Sequence, residues 1–337
     1  MSLLATDIIR SVAQHTQTWD LTAETGATLV AMSQVCTKWR LDLISSPTLW
    51  SNILIQDTTT PAVVSTFIHN AAKQPLLLLV QVTGNTVWSS SLLRRVLAAC
   101  DKWKWISFSP CTRNMHYYLW PGYSTKVHVP LLVSLALGSG SPFIPPRGNQ
   151  GFTSFHLPNL EELRLSTLQE FEYTALLTTI VAPKLRDVAI DRLIWGVLDG
   201  IGDAQDKRSF PSVRSLELRR CVLTSRGDME TLWEIFPYIT SLGVHASSNK
   251  AEKAVTAKGL MAAIAPNEEE MLWENLEHLW IRIGGWSPNE TAMAALHGRA
   301  VKNGMLQRVT LKTGKPVPTR LTKRLGEAGV TVITDRT

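Results

Sequence analysis

The chain has 337 residues, of which 45% are hydrophobic and 18% are charged, a balance that predicts a folded protein and excludes an extended disordered one. Its net charge is only +6 and its basic residues are dispersed, with no dense basic tract that would form a nucleic-acid arm, and an acidic protein partner fits this balance as well as a nucleic acid does. We expect no membrane span, because no apolar run reaches about 18 residues. Without the pattern of a secretory signal, we expect a cytoplasmic or nuclear protein whose four scattered cysteines are reduced and buried.

Two apolar patterns at helical spacing occupy the first 48 residues. The first lies within residues 3–16 and comprises Leu4, Ile8, Ile9 and Val12. The second predicts one helix from residue 29 to residue 44, with the apolar positions Leu29, Met32, Val35, Cys36, Trp39, Leu43 and Ile44. Pro47 ends that helix. Because so small a module has little core of its own, we expect it to dock onto the first repeat or onto a partner, with Val35 and Trp39 serving the module and Pro47 and Trp50 fastening it to the strand that follows; the alternative is that these are only core residues of a capping helix.

From residue 50 onward one pattern recurs, apolar-x-x-apolar-x-apolar, often preceded by proline. Its ten copies begin at residues 50, 77, 103, 132, 160, 185, 213, 239, 276 and 306. The alternating end of each copy predicts a short strand with one buried face. Helical spacing follows in residues 60–73, 89–100 and 228–236, the last capped by Asp228. A strand and a helix at this period predict a solenoid of stacked units; the alternative is a conventional α/β domain.

The C-terminal end of the chain continues the same alternation. Residues 319–329 predict a helix, and the sequence GVTVITDRT predicts one last edge strand. Two longer segments, at 138–151 and 246–270, interrupt the regular spacing, and loops of this length are either functional or disordered.

Motifs for catalysis or cofactors are missing from the sequence. The eight histidines show no zinc-ligand spacing, and the chain contains neither a G-x-S-x-G elbow nor a Walker loop. The segment LGSGS at 137–141 follows a predicted strand but is followed by prolines instead of a helix N-terminus. We therefore expect a binding protein with no enzymatic activity, metal or cofactor.

The residues that alternate with the core positions of the later strands point to the face opposite the helices. On this concave face we expect a patch for a protein substrate made of Arg219, His245, His278, Trp280, Arg282, Arg308 and Lys312. An exposed tryptophan among arginines is the composition of an interface hot spot, and such a patch suits an acidic or phosphorylated segment. The alternative is that the face is simply polar and solvated.

The segments LATDIIRSVAQ (4–14) and LVAMSQVCTKWRLDLISSPTLWSNI (29–53) resemble an F-box of the fungal type with an extended spacer, and LELRRCVLT (216–224) is similar to a cysteine-containing leucine-rich repeat. The chain thus resembles the F-box/leucine-rich-repeat proteins of basidiomycete-like fungi. This resemblance implies an α/β fold with a helical F-box-like module at 1–48 and an irregular leucine-rich-repeat solenoid at 49–337, its parallel sheet on the concave side and its helices on the convex side.

The same resemblance implies a function in protein degradation. The module would bind a Skp-family adaptor, and through it a cullin ubiquitin ligase, by Leu4, Ile8, Ile9, Val12, Val35, Cys36 and Trp39, while the repeats bind a protein substrate. The chain departs from the family at Ala5, where an F-box has proline. The alternatives are a ligase-independent scaffold, in which the module only caps the repeats, and a nucleic-acid-associated factor, for which steep salt dependence is the test.

Overall fold

The computed structural model describes residues 8, 11, 13, 23–81, 90–109, 129–138, 155–192, 210–223, 225–246, 257, 259–262, 264–265, 271–283, 288–313 and 316–334. The chain divides into two compact units, residues 1–151 with 155–160, and residues 152–154 with 161–337. The boundary predicted at residue 48, between the helical module and the repeats, falls inside the first unit and stays a prediction.

The first unit begins with two helices and continues as alternating strands and helices. Its helices are α1 (Ala23–Gln34), α2 (Thr37–Ile44), α3 (Pro61–Asn70) and α4 (Ser90–Ala98), with 3₁₀ turns at Pro47–Trp50 and Cys100–Lys102. Its strands are β1 (Asn52–Gln56), β2 (Leu76–Gln81), β3 (Trp103–Phe108) and β4 (Ser134–Gly138), with a two-residue strand at Phe155–His156. The four longer strands pair in chain order, and every pair is parallel.

The second unit repeats the same alternation. Its strands are β5 (Glu162–Ser166), β6 (Asp187–Asp191), β7 (Ser215–Arg219), β8 (Ser241–His245), β9 (His278–Arg282), β10 (Arg308–Lys312) and β11 (Thr331–Thr334), with a two-residue strand at Ile180–Val181. Its helices are α5 (Glu170–Thr179), α6 (Arg226–Ile235), α7 (Glu290–Asn303) and α8 (Thr319–Glu327). Each strand pairs in parallel with the next along the chain. A repeating α/β architecture with parallel strands is thereby confirmed.

The apolar pattern of the repeats supplies the buried core, as predicted. In β7, Leu216 and Leu218 are buried while the residues beside them are not. The second copy departs from the pattern at one position. We expected residues 77, 80 and 82 to point inward; Val80 is buried as expected, Leu77 is half-buried between buried Leu76 and Leu78, and Val82 lies outside the described residues. The run LLLLV is apolar on both faces, so its sequence does not show which of its leucines point inward.

The single helix predicted from residue 29 to residue 44 is wrong, because the chain breaks between α1 and α2. Cys36 has extended backbone angles, φ −159° and ψ 169°, and a new helix starts after it. Leu29 and Leu43 are buried while Val35 is exposed. The expectation that all four cysteines are buried is also wrong; Cys111 lies outside the described residues. Cys36 is exposed, Cys100 is half-buried, and Cys221 is buried.

Trp50 joins α2 to the first strand–helix unit, as the sequence predicted. Its side chain is buried, and its indole Nε1 donates a hydrogen bond to the Leu43 carbonyl at 2.9 Å. Its ring meets the ring of Phe67 edge-on, with centroids 5.1 Å apart. A single side chain thus contacts both the end of α2 and the buried face of α3.

Local hydrogen bonds explain two further details of the second unit. Helix α6 begins with a capping box in which the Ser225 hydroxyl accepts from the Asp228 amide at 3.2 Å, while the Asp228 carboxylate accepts from the Ser225 amide at 2.9 Å. The cap is therefore Ser225, and Asp228, predicted as the cap, is its partner one turn later. Buried Cys221 lies behind its strand, as predicted, and its thiol donates to the Ile190 carbonyl of the preceding repeat at 3.4 Å.

Candidate protein-interaction site

The residues that alternate with the core positions of β5–β11 form one face, here named the exposed sheet face. On β6–β10, in-register pairing arranges them in three rows across the strands. The first row is Asp187, Ser215, Ser241, His278 and Arg308; the central row is Ala189, Glu217, Gly243, Trp280 and Thr310; the third row is Asp191, Arg219, His245, Arg282 and Lys312. Because adjacent strands lie about 4.8 Å apart, all seven predicted substrate-binding residues share this continuous surface.

Glu217, which the predicted patch leaves out, lies at the centre of the exposed sheet face. Its carboxylate accepts a hydrogen bond from Arg219 Nη2 at 2.6 Å, and its other oxygen lies 2.9 Å from His245 Nε2. Two residues predicted to meet a substrate are thus already engaged by an internal carboxylate. The alternation of the strand shows that Glu217 lies on this face, but the sequence does not show which neighbour it contacts.

His245 has two close neighbours on this face. Its ring meets the ring of Trp280 edge-on at 4.4 Å between centroids, and its Nε2 lies 2.9 Å from a Glu217 carboxylate oxygen. Burial lowers the pKa of His245, Glu217 opposes this, and the positive charges of Arg219 and Arg282 lower it further. The neutral imidazole is therefore the favoured form, and it adds no charge to the patch.

Gly243 allows the central side chains to lie over β8. A Cβ atom at this position would lie 3.3 Å from the Glu217 Cγ and 3.5 Å from the Trp280 Cε3. Glycine therefore keeps Glu217 and Trp280 close to the backbone from opposite sides. The compact cluster of Glu217, His245 and Trp280 follows from this missing side chain.

The charge of the exposed sheet face changes from one end to the other. In β5 and β6, Glu162 pairs in register with Asp187, and the pKa of Asp187 is raised by burial and by the nearby negative charge of Glu162. At the other end, among the described residues, neither Arg282 nor Arg308 forms an ion pair with a carboxylate. At β5–β6 the carboxylates are partly compensated, because Arg164 lies 3.9 Å from Glu162 and Arg220 pairs with Asp191. The face is thus mixed in charge at β5–β6, internally compensated at β7–β8, and cationic at β9–β10.

The N-terminal helices carry a second candidate surface. Three aliphatic side chains within ten residues are exposed, namely Val35 at 61%, Leu41 at 62% and Ile44 at 41%. Of the predicted adaptor-binding residues, Cys36 is exposed and Trp39 is half-buried, and Ile8 is exposed in a helical segment. The others, Leu4, Ile9 and Val12, lie outside the described residues.

Leu41 and Ile44 were missed as candidate surface residues. The prediction of one unbroken helix placed Ile44 on the inner face, and only the break at Cys36 turns it outward. A hydrogen bond spans the break between α1 and α2, because Arg40 Nε donates to the Ser33 carbonyl at 3.0 Å.

The described ranges also bear on metal binding and on membrane insertion. No group of three or more His, Cys, Asp or Glu side chains in that part of the chain is placed to hold a metal ion. Among the same residues, none of the helices has both the length and the apolar character needed to cross a bilayer.

Comparisons with known proteins do not assign the chain to a family. No family model matches the chain, and no curated protein matches its sequence. Among solved structures, an internalin from Listeria monocytogenes is similar over 97% of this chain and 87% of that chain, at 10% sequence identity and a TM-score of 0.37. The chain is structurally an α/β repeat protein, and the two surfaces described above are the features that bear on its function.

Proposed function

We propose that the chain is a non-catalytic receptor subunit of a cullin-type ubiquitin ligase. Its N-terminal helices bind a Skp-family adaptor, and its leucine-rich-repeat-like units bind a protein substrate. The observation that carries this proposal is the exposed aliphatic surface of Val35, Leu41 and Ile44, on helices whose sequence resembles an F-box. Burying a side chain of this kind contributes about 1.5–3 kcal/mol, so three of them can supply a substantial part of an interface.

A ligase-independent scaffold is the second candidate function, and the observation that favours it is Ala5, where an F-box has proline. In a scaffold the N-terminal helices serve to cover the first repeat through Trp50 and Leu43. The two functions make opposite predictions about the exposed aliphatic side chains, since covering the repeat uses only the buried ones.

The test is co-purification of a purified Skp-family adaptor and cullin with the full chain, compared with a Val35→Asp/Leu41→Asp double variant. Both substituted side chains are exposed, so we expect the variant to fold normally and to lose the adaptor. The matched control is Val301→Asp in α7, because Val301 is 63% exposed, close to the 61% of Val35. It should retain the adaptor.

Recovery of the adaptor by the intact chain and by the control, but not by the double variant, supports the receptor function. If the intact chain recovers no adaptor, or if the double variant recovers as much as the control does, the receptor function is wrong and the scaffold takes its place.

A further inference from the structure

We infer that the repeats bind an extended acidic peptide segment with one large apolar side chain, seated on β9–β11 of the exposed sheet face. This inference rests on the substrate-binding half of the proposed function and specifies its chemistry. It differs from the patch expected from the sequence, because it leaves out Arg219 and His245 and adds Ile333.

An apolar anchor site lies on the central row of this region. Trp280, Thr310 and Ile333 occupy successive strands in register, and Trp280 and Ile333 are 36% and 43% exposed. The smaller Thr310 lies between the two larger side chains. Across two strand spacings of about 4.8 Å each, this row has the width to accommodate one leucine- or phenylalanine-sized side chain.

Arginines flank the anchor on both sides. Arg308 lies in the first row and Arg282 in the third, so one cation stands on each side of a chain that crosses the strands along the central row. Neither forms an ion pair with a carboxylate among the described residues, in contrast to Arg219, which Glu217 holds at 2.6 Å. Carboxylates form strong bidentate hydrogen bonds with guanidinium groups, so acidic residues beside the apolar anchor complement this arrangement.

The remainder of the face restricts an acidic ligand to this end. Glu217 already compensates β7–β8, and on β5–β6 Arg164 lies 3.9 Å from Glu162 while Arg220 pairs with Asp191, so the cations at that end also have internal carboxylate partners. From β9 to β11 the strands span two spacings, or about 10 Å. An extended chain advances about 3.3 Å per residue, so the seat accommodates about three residues.

A peptide fits this surface better than a nucleic acid. A nucleic-acid backbone presents phosphates at regular intervals and favours a continuous line of cations, whereas carboxylates interrupt this face at Glu217 and again at Asp187.

The test measures fluorescence anisotropy of a fluorescein-labelled peptide, Gly-Glu-Glu-Phe-Glu-Glu-Gly, titrated with the purified full chain in the absence of adaptor. Two comparison peptides replace every Glu with Lys or the Phe with Ala. We expect the acidic Phe peptide to bind at least tenfold more tightly than either, and its affinity to fall as salt increases, because exposed charges are screened.

Variants of the chain locate the site. Trp280→Ala and Arg282→Glu should each weaken binding of the acidic Phe peptide about tenfold, which corresponds to about 1.4 kcal/mol. The matched control is Arg320→Glu in α8, which makes the same change in net charge at an exposed arginine 3.7 Å from Glu290. It should leave the affinity unchanged.

Several results would overturn the inference. The first is the absence of saturable peptide binding below about 1 mM, and the second is equal affinity for the Lys peptide. The third is an equal loss of peptide affinity in Arg320→Glu and Arg282→Glu. The fourth is displacement of the labelled peptide by a single-stranded oligonucleotide at a lower concentration than by unlabelled peptide. Because no adaptor is present, failure here leaves the adaptor result intact, and failure of adaptor binding leaves this result intact.

Discussion

Replacing Trp50 tests how the N-terminal helices are attached to the first repeat. Trp50→Ala removes a buried indole, and truncations of this kind cost about 3–5 kcal/mol. It also removes the edge-on contact with Phe67 at 5.1 Å. Since whole domains are stable by only about 5–15 kcal/mol, we expect Trp50→Ala to lower the midpoint of urea unfolding markedly and to expose α1 and α2 to protease.

Trp50→Phe separates the hydrogen bond from the packing. Phenylalanine keeps most of the buried apolar area and the aromatic contact, but loses the bond from Nε1 to the Leu43 carbonyl. That carbonyl retains a second donor, the Ser46 amide at 3.0 Å, so it is not left unsatisfied. The expected cost is therefore the net value of one hydrogen bond, about 1 kcal/mol, and not the larger penalty for an orphaned acceptor.

The assay is urea unfolding followed by far-UV circular dichroism, with limited proteolysis of the N-terminal helices in parallel. The matched control is Trp280→Ala, since Trp280 is 36% exposed whereas Trp50 is buried, and an exposed tryptophan should cost much less. The attachment described here is refuted if the two alanine variants shift the midpoint equally, or if Trp50→Phe is as costly as Trp50→Ala.

Two other predictions concern charged or titratable side chains. Arg299 is fully buried, which lowers its pKa to about 10, and its Nη2 donates hydrogen bonds to the carbonyls of Leu272 and Trp273. Arg299→Ala should therefore lower the free energy of unfolding in urea by about 2–4 kcal/mol, and Arg299→Met should lower it less because methionine refills the space. Equal losses in the two variants would contradict this account. The pKa of His245 is lowered in the folded state mainly by burial, so the unfolded chain binds more protons below the ordinary value of about 6.5. Stability should be complete above that pH and fall as the pH is lowered through it, and His245→Gln should remove this slope; an unchanged slope would show that another group causes it.

The sequence predicts the strands well because their constraint is simple. A strand with one buried face repeats every two residues, and the pattern correctly places buried triads such as Val213, Leu216 and Leu218. The constraint is weaker where both faces are apolar, as in residues 76–80, and there Leu77, which was expected to point inward, is half-buried while Leu76 and Leu78 are buried.

The helical module was harder to predict because its break has no local signal. Cys36 starts α2 without a side-chain cap, and the apolar spacing on either side of it is compatible with one continuous helix. Buried Arg299 is equally invisible in the sequence, since a lone arginine in a helix normally belongs to the solvated face.

On the exposed sheet face the sequence predicts which residues share the surface, but not which charges pair with each other. Strand alternation and parallel register place Arg219, Arg282 and Arg308 on one surface, and at that level the three are equivalent cations. They differ because Glu217 lies within 2.6 Å of only one of them, a contact that depends on side-chain direction and on the space above Gly243. The charge available to a ligand is set by the arginines that lack an internal carboxylate, and this is why the binding seat inferred here lies at β9–β11 and not over the whole basic patch.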